Sequence, residues 1–172
     1  MLNVGECVIY GNHGLCKVRD ILVPAFLEKG NEKQYYMMVS AVDAGSVIYV
    51  PVEGAEDKVR DVMSADDAEG LICDIEEVDE LELPEGKKAE PAILEVIKRN
   101  VAEEMMSLVK SLHKIKATRE AEGKKFAALN EKYLNMAEKL LYTEMAFSLK
   151  TEKETVKDRV VEVLSHLPLE TV

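Results

Sequence analysis

The hydrophobic pattern of this chain changes its period at Pro51, and this change limits what the chain can fold into. Before Pro51, short apolar runs alternate with Gly, Asn and Asp, whereas after it apolar residues recur every three or four positions. A period of two is typical of strands and a period of 3.6 of helices. The 172 residues are also enough for two small cores. The pattern predicts a β domain at residues 1–54 and a helical domain at residues 55–172.

The β domain is expected to be a small antiparallel barrel. Apolar runs at 4–10, 15–26, 34–40 and 47–50 are separated by connections of hairpin length. So few short strands cannot bury two faces of a flat sheet, which favours closure into an SH3-like or Tudor-like barrel. The 47–50 run has two interpretations, an interior strand or an exposed edge that recruits a partner strand.

The remainder of the chain predicts an all-α bundle of about five helices, so the fold class is α+β with two domains. Helices are expected at 56–63, 66–78, 90–99, from Val101 through Ile115, at 126–149 and at 151–167. Three capping signals support these assignments: Ser64 before the second helix, Asn100 before the fourth, and Thr151 with Glu154 at the start of the last.

The charge of the chain is unevenly distributed. The formal net charge is -11, and residues 66–85 contain ten acidic residues and no basic one. Residues 86–125 contain ten Lys or Arg against six Glu. This segment is either one phosphate-facing surface or an ordinary solvated face with ion pairs to Glu. The basic residues concerned are Lys87, Lys88, Lys98, Arg99, Lys110, Lys114, Lys124 and Lys125.

The sequence has no signature of an enzyme or of a cofactor site. It lacks a phosphate-binding loop, a dinucleotide-binding glycine motif, a nucleophile elbow and zinc-ligand spacing. The three cysteines match no disulfide framework and are expected to be reduced. No apolar run approaches the roughly 18 residues of a membrane span. We therefore expect no catalytic residue, metal, cofactor, small-molecule substrate or membrane contact, and a cytoplasmic location.

Four short motifs follow one another in the first 62 residues. VGECVIY at 4–10 is followed by His13-Gly14, then by VPVE at 50–53 and VRDV at 59–62. In this order and spacing they resemble the opening of the CarD/CdnL family of bacterial transcription regulators. The helical remainder agrees with that family in length and in its alternation of helices.

The resemblance implies a Tudor-like domain, shared with the transcription-repair coupling factor, that binds the β subunit of RNA polymerase. On this basis the polymerase-binding residues are predicted to be Val23, Pro24, Val47, Ile48, Tyr49 and Val50. It also implies that the helical domain contacts upstream promoter DNA and modulates open-complex stability. The predicted DNA-binding residues are Lys87, Lys88, Lys98, Arg99, Lys114, Lys124 and Lys125.

The chain departs from the family where a Trp precedes a basic stretch and acts as a wedge at the promoter bubble. Here residues 85–90 read EGKKAE, and the chain contains no Trp. A protein–protein adaptor that binds polymerase or another partner without touching DNA is therefore the alternative.

Overall fold

A computed structural model of the chain describes residues 1–169 and contains two compact units. The first unit is Met1–Val62 and the second begins at Met63. Residues 170–172, which belong to the predicted helical domain, lie outside the described residues. The first unit is a curled five-stranded antiparallel sheet, and residues 63–169 of the second contain five α-helices, which confirms the predicted fold class.

The sheet of the first unit has the strand order β4-β3-β2-β1-β5. Its strands are β1 Cys7–Ile9, β2 Leu15–Leu22, β3 Tyr35–Ser40, β4 Val47–Pro51 and β5 Arg60–Asp61. Every neighbouring pair is antiparallel, and a bulge in β2 lies between Val18 and Asp20. Strands β4 and β5 therefore form the two edges of the sheet.

The helix predicted at 56–63 is wrong. Ala55–Asp57 forms a single 3-10 turn, and Arg60–Asp61 is β5, which pairs with β1. The apolar side chain of Val59 packs against the core of the sheet, so this segment buries its hydrophobic surface as an extended chain. The strand also carries the first unit past residue 54, to Val62.

The core of the sheet is built from alternate residues of its strands. Tyr36, Met38 and Val50 are buried and face the same interior as Val8 and Val18 on β1 and β2. Side chains on the other face of β3 and β4 remain partly or largely exposed. Cys16 is buried in this core, and burial, helped by the nearby Cys7, raises the pKa of its thiol to about 11. None of the three cysteines forms a disulfide in the described residues.

The helical unit begins after Val62 and packs its helices around α3 and α4. The helices are α1 Ala65–Cys73, α2 Ala89–Arg99, α3 Ala102–Ala121, α4 Ala128–Leu149 and α5 Lys153–Ser165. Single 3-10 turns at Ile75–Glu77 and Gly86–Lys88 interrupt the connection between α1 and α2. The long helices supply most of the core, including Met105, Leu108, Leu112, Leu134 and Leu141.

One of the three predicted caps is confirmed and two are wrong. The Ser64 hydroxyl accepts a hydrogen bond from the N–H of Asp67 at 3.0 Å and caps α1. Asn100 instead ends α2 in the left-handed conformation, with φ of 47°, and α3 starts after Val101. Asn adopts this conformation more readily than most residues do. Asn100 therefore suits the tight turn between α2 and α3, where it ends the first helix and does not cap the second. Glu152, rather than Thr151, precedes α5.

Buried polar side chains of α3 and α4 hold irregular segments of the helical unit. Glu144 accepts a hydrogen bond from the N–H of Met63 at 2.9 Å, and the Ser148 hydroxyl donates to the carbonyl of Met63 at 2.6 Å. Lys110 donates to the carbonyls of Glu76 and Val78 at 2.9 and 2.6 Å. Lys110 is thus buried and has a structural role. It lies neither on a phosphate-facing surface nor on a solvated face, which were the two alternatives for the basic segment.

Replacing Ser64 with Ala should destabilise the helical unit by about 1 kcal/mol, because the N–H of Asp67 loses its acceptor. The measurement is urea unfolding followed by circular dichroism at 222 nm. Ser165→Ala, at the C-terminal end of α5, is the matched control. It should change the free energy of unfolding by less than about 0.5 kcal/mol. Equal effects of the two substitutions would contradict the capping role.

Glu138 should make the stability of the helical unit sensitive to acid. Burial opposes ionisation of Glu138, but His113, Tyr142 and Lys157 together hold the pKa of its carboxyl below its ordinary value. A depressed pKa stabilises the fold above the unfolded-state pKa of about 4.3, and this contribution is lost as the pH falls through the folded-state pKa.

Glu138→Gln should therefore flatten the pH dependence of the unfolding free energy below about pH 5. The measurement is chemical unfolding at a series of pH values. Glu162→Gln, an exposed substitution on α5, should leave the wild-type dependence in place. An unchanged slope in Glu138→Gln would show that the fold does not depress the pKa of this carboxyl.

Candidate functional site

Strand β4 forms an open edge of the sheet. It pairs with β3 on one side, where Met38 lies opposite Ile48 and Tyr36 opposite Val50. Within residues 1–169, no strand pairs with its other side. The backbone groups on that side have the geometry that an additional strand from another protein requires.

The hydrogen bonds at the two ends of β4 identify the backbone groups that face the open edge. The carbonyl of Ser46 accepts a hydrogen bond from the last residue of β3, and the N–H of Val52 donates to the residue before β3. Hydrogen-bonded positions alternate along an antiparallel ladder, so residues 48 and 50 also bond to β3. The N–H and C=O groups of Val47 and Tyr49 therefore point towards the open edge.

The outer face of β4 carries exposed apolar and aromatic side chains. Val47 is 49% exposed and Tyr49 is 40% exposed. Phe26, in the connection between β2 and β3, is 64% exposed and packs edge-on against two rings. Its centroid lies 5.3 Å from that of Tyr49 and 6.1 Å from that of Tyr35. We refer to Phe26, Tyr35 and Tyr49 as the aromatic cluster.

The structure separates the six predicted polymerase-binding residues into two groups. Val23, Val47 and Tyr49 are exposed, whereas the other three are partly or fully buried: Pro24, Ile48 and Val50. The 47–50 run is an edge strand of the sheet rather than an interior one, with Ile48 and Val50 turned towards the core and Val47 and Tyr49 exposed. Recruitment of a partner strand by this edge stays a prediction. Phe26 and Tyr35 were not predicted, since the cluster forms only when the connection between β2 and β3 brings Phe26 against Tyr35 and Tyr49.

The predicted DNA-binding residues lie at several places in the helical unit. Lys87 and Lys88 are exposed on the 3-10 turn that leads into α2, and Lys98 is exposed near the end of that helix. Lys125 is exposed in the connection between α3 and α4. The remaining three are ion-paired: Arg99 with Glu104 at 3.0 Å, Lys114 with Glu80 at 2.8 Å, and Lys124 with Glu122 at 3.0 Å.

These basic residues do not form one compact surface. Lys98 and Arg99 lie just before α3, and Lys124 and Lys125 follow it. A helix of 20 residues is about 30 Å long, so the two pairs lie at opposite ends of α3. The exposed pair Lys87 and Lys88 is separated from Arg99 by the length of α2, about 16 Å.

A known protein family matches the sequence of the first unit. Residues 2–63 match the sequence model of the CarD-like/TRCF RID domain. The N-terminal unit is therefore similar to the CarD-like/TRCF RID domain. The matched range covers the curled sheet through β5, and it confirms the family resemblance of the four sequence motifs. A search of curated proteins found no match to the chain.

The matched family relates the N-terminal unit to RNA polymerase. Domains of this family interact with RNA polymerase in transcription and are not enzymes. In the described part of the chain, no three His, Cys, Asp or Glu side chains are grouped as metal ligands. The helices described for residues 1–169 are all too short or too polar to cross a bilayer.

Proposed function

We propose that this chain is a bacterial transcription regulator whose RID domain binds the β subunit of RNA polymerase through β4. The open edge of β4 is the observation that supports this proposal, because the backbone groups of Val47 and Tyr49 are directed outward. An extended strand of the polymerase would add to this edge. Main-chain hydrogen bonds supply affinity in such complexes, and alternate side chains supply specificity.

The exposed side chains beside this edge favour a protein partner. A long apolar edge strand promotes aggregation unless another element covers it. Val47 and the aromatic cluster would lie against the side chains of the added strand, and aromatic residues are enriched in the buried centres of protein interfaces. The domain thus has both the backbone and the side-chain components of a strand-pairing interface.

The helical unit is proposed to act at the upstream edge of the promoter bubble and to change the lifetime of the open complex. Docking on polymerase would raise its local concentration at DNA, so that a few phosphate contacts suffice. Lys87 and Lys88 are the strongest candidates, because both are exposed and adjacent. In this role the chain is a non-enzymatic cytoplasmic protein that uses no cofactor.

An adaptor that binds polymerase without contacting DNA is the second candidate. It is favoured by the carboxylates that already pair with Arg99, Lys114 and Lys124. From residue 54 onward the chain has 27 acidic and 18 basic residues, which further weakens general attraction to DNA. Under this proposal the helical unit would recruit another protein to the transcription complex.

Val47→Asp should weaken binding to core RNA polymerase by about tenfold or more, because pairing would place a carboxylate in a desolvated interface. The measurement is a binding titration with core polymerase and with its isolated β lobe. Val4→Asp is the matched control, since Val4 is 60% exposed in the same unit and precedes β1, which β2 and β3 separate from β4 in the sheet. Wild-type affinity in a folded Val47→Asp variant would rule out the β4 edge as the interface.

Lys87→Glu combined with Lys88→Glu should shorten the lifetime of promoter open complexes, and more strongly at low salt, because two phosphate contacts are lost. The lifetime is measured by competitor challenge in the presence of the full-length chain. Lys139→Glu combined with Lys153→Glu makes the same charge change at exposed positions of the same unit. An unaltered lifetime with intact polymerase binding would favour the adaptor.

A further inference from the structure

The helical unit contains a cavity of about 680 Å³ that no part of the proposed function uses. It lies between α3, α4, α5 and the segment around Ile75–Glu77. Small-molecule sites in proteins are concave, fall in this range of volume, and combine apolar walls with a few polar groups. The cavity therefore has the volume of a small-molecule site.

One side of the cavity is apolar. Leu134 of α4 faces this space together with Val161 and Leu164 of α5. Leu134 is buried, whereas Val161 is 37% exposed although it belongs to the inner wall of the cavity. An apolar group of the ligand would shield this side from water. The resulting gain in binding free energy is proportional to the apolar area covered.

The other side contains two buried polar atoms without hydrogen-bond partners. His113 Nε2 and Glu138 Oε2 both lie in the wall, 3.6 Å apart, which is beyond hydrogen-bond distance. Glu138 is only 8% exposed. His113, Tyr142 and Lys157 favour the ionised form of this carboxyl, but Oε2 accepts no hydrogen bond, and a donor supplied by a ligand would lower the cost of burying this oxygen.

The charges around the cavity favour a cationic donor. Three of its four lysines have partners, because Lys110 donates to backbone carbonyls, Lys114 pairs with a carboxylate and Lys116 lies over an aromatic ring. Lys157 is the fourth. The same wall contains five glutamates: Glu76, Glu80, Glu120, Glu131 and Glu138. The lysines keep their charge when they have partners, so the wall has one more carboxylate than it has ammonium groups, and this excess favours a cationic ligand over an anionic one.

We infer that this cavity is a binding site for a small amphipathic amine. The ammonium head would donate to Glu138 Oε2, and the apolar body would lie along Leu134, Val161 and Leu164. Binding would link α3, α4 and α5 and stabilise the helical unit by mass action. Such a ligand would act on the part of the chain that is distinct from the RID domain.

The test uses indole probes that differ in their head group. Because the chain contains no Trp, the fluorescence anisotropy of an indole reports binding without interference from protein indoles. Tryptamine carries an ammonium, tryptophol a neutral hydroxyl and indole-3-propionate a carboxylate. Tryptamine should bind to the full chain with a Kd about tenfold lower than that of tryptophol, as expected for one charge-assisted hydrogen bond, and indole-3-propionate should bind weakest.

Two variants locate the site. Glu138→Gln should weaken tryptamine binding about tenfold and leave tryptophol unchanged, whereas Glu162→Gln, outside the cavity wall, should affect neither probe. Ala117→Phe places a ring in the cavity and should reduce binding of all three probes. This variant tests the site independently if Glu138→Gln does not fold.

Equal affinity for tryptamine and tryptophol would overturn the inference. So would tighter binding of indole-3-propionate, absence of binding by all three probes, or wild-type tryptamine affinity in the folded Ala117→Phe variant.

Discussion

The pairing of β4 with β3 determines both the stability and the proposed activity of the N-terminal unit. Hydrogen bonds to β3 use the backbone of residues 48 and 50, and the side chains of Ile48 and Val50 turn towards the core. The same alternation leaves the backbone of Val47 and Tyr49 on the open edge and their side chains on the exposed face. One strand therefore completes a core and leaves an open edge, which is the proposed interface.

Pro51 limits how far a partner strand can extend along this edge. It occupies the next outward-facing position after Tyr49, opposite Tyr35, and has no N–H to donate. Donors at the edge are thus confined to Val47 and Tyr49 within β4. In the proposed complex, such a short pairing surface would supply few main-chain hydrogen bonds, so the aromatic cluster would contribute a large share of the binding energy.

The sequence predicted the parts of the fold that have a repeated pattern. Four strands and the long helices follow from apolar spacing, and Ser64 is recognisable as a cap because its signal is local. Strand β5 was missed because two residues carry no periodicity, and its pairing with β1 depends on a contact more than 50 positions away. Asn100 suits either end of a helix, and only the turn that joins α2 to α3 determines which end it occupies.

The candidate site was less predictable than the fold. Val47 and Tyr49 lie within a recognisable strand, but the position of a strand at the edge of a sheet depends on long-range pairing. Phe26 joins the site through a connecting segment whose sequence gives no sign of it. In the helical unit, the sequence around each lysine could not show that Lys110 is buried or that Lys114 pairs with Glu80, because both facts depend on tertiary contacts.

Amide hydrogen exchange at Val47 and Tyr49 tests the central claim most directly. In the unbound full-length chain these amides should exchange rapidly, whereas those of Ile48 and Val50 are already protected by β3 and serve as internal references. Adding the isolated β lobe of RNA polymerase should slow exchange at Val47 and Tyr49 by about tenfold or more as both donate to the added strand. Binding of the lobe with unchanged exchange at both amides would contradict strand pairing through β4.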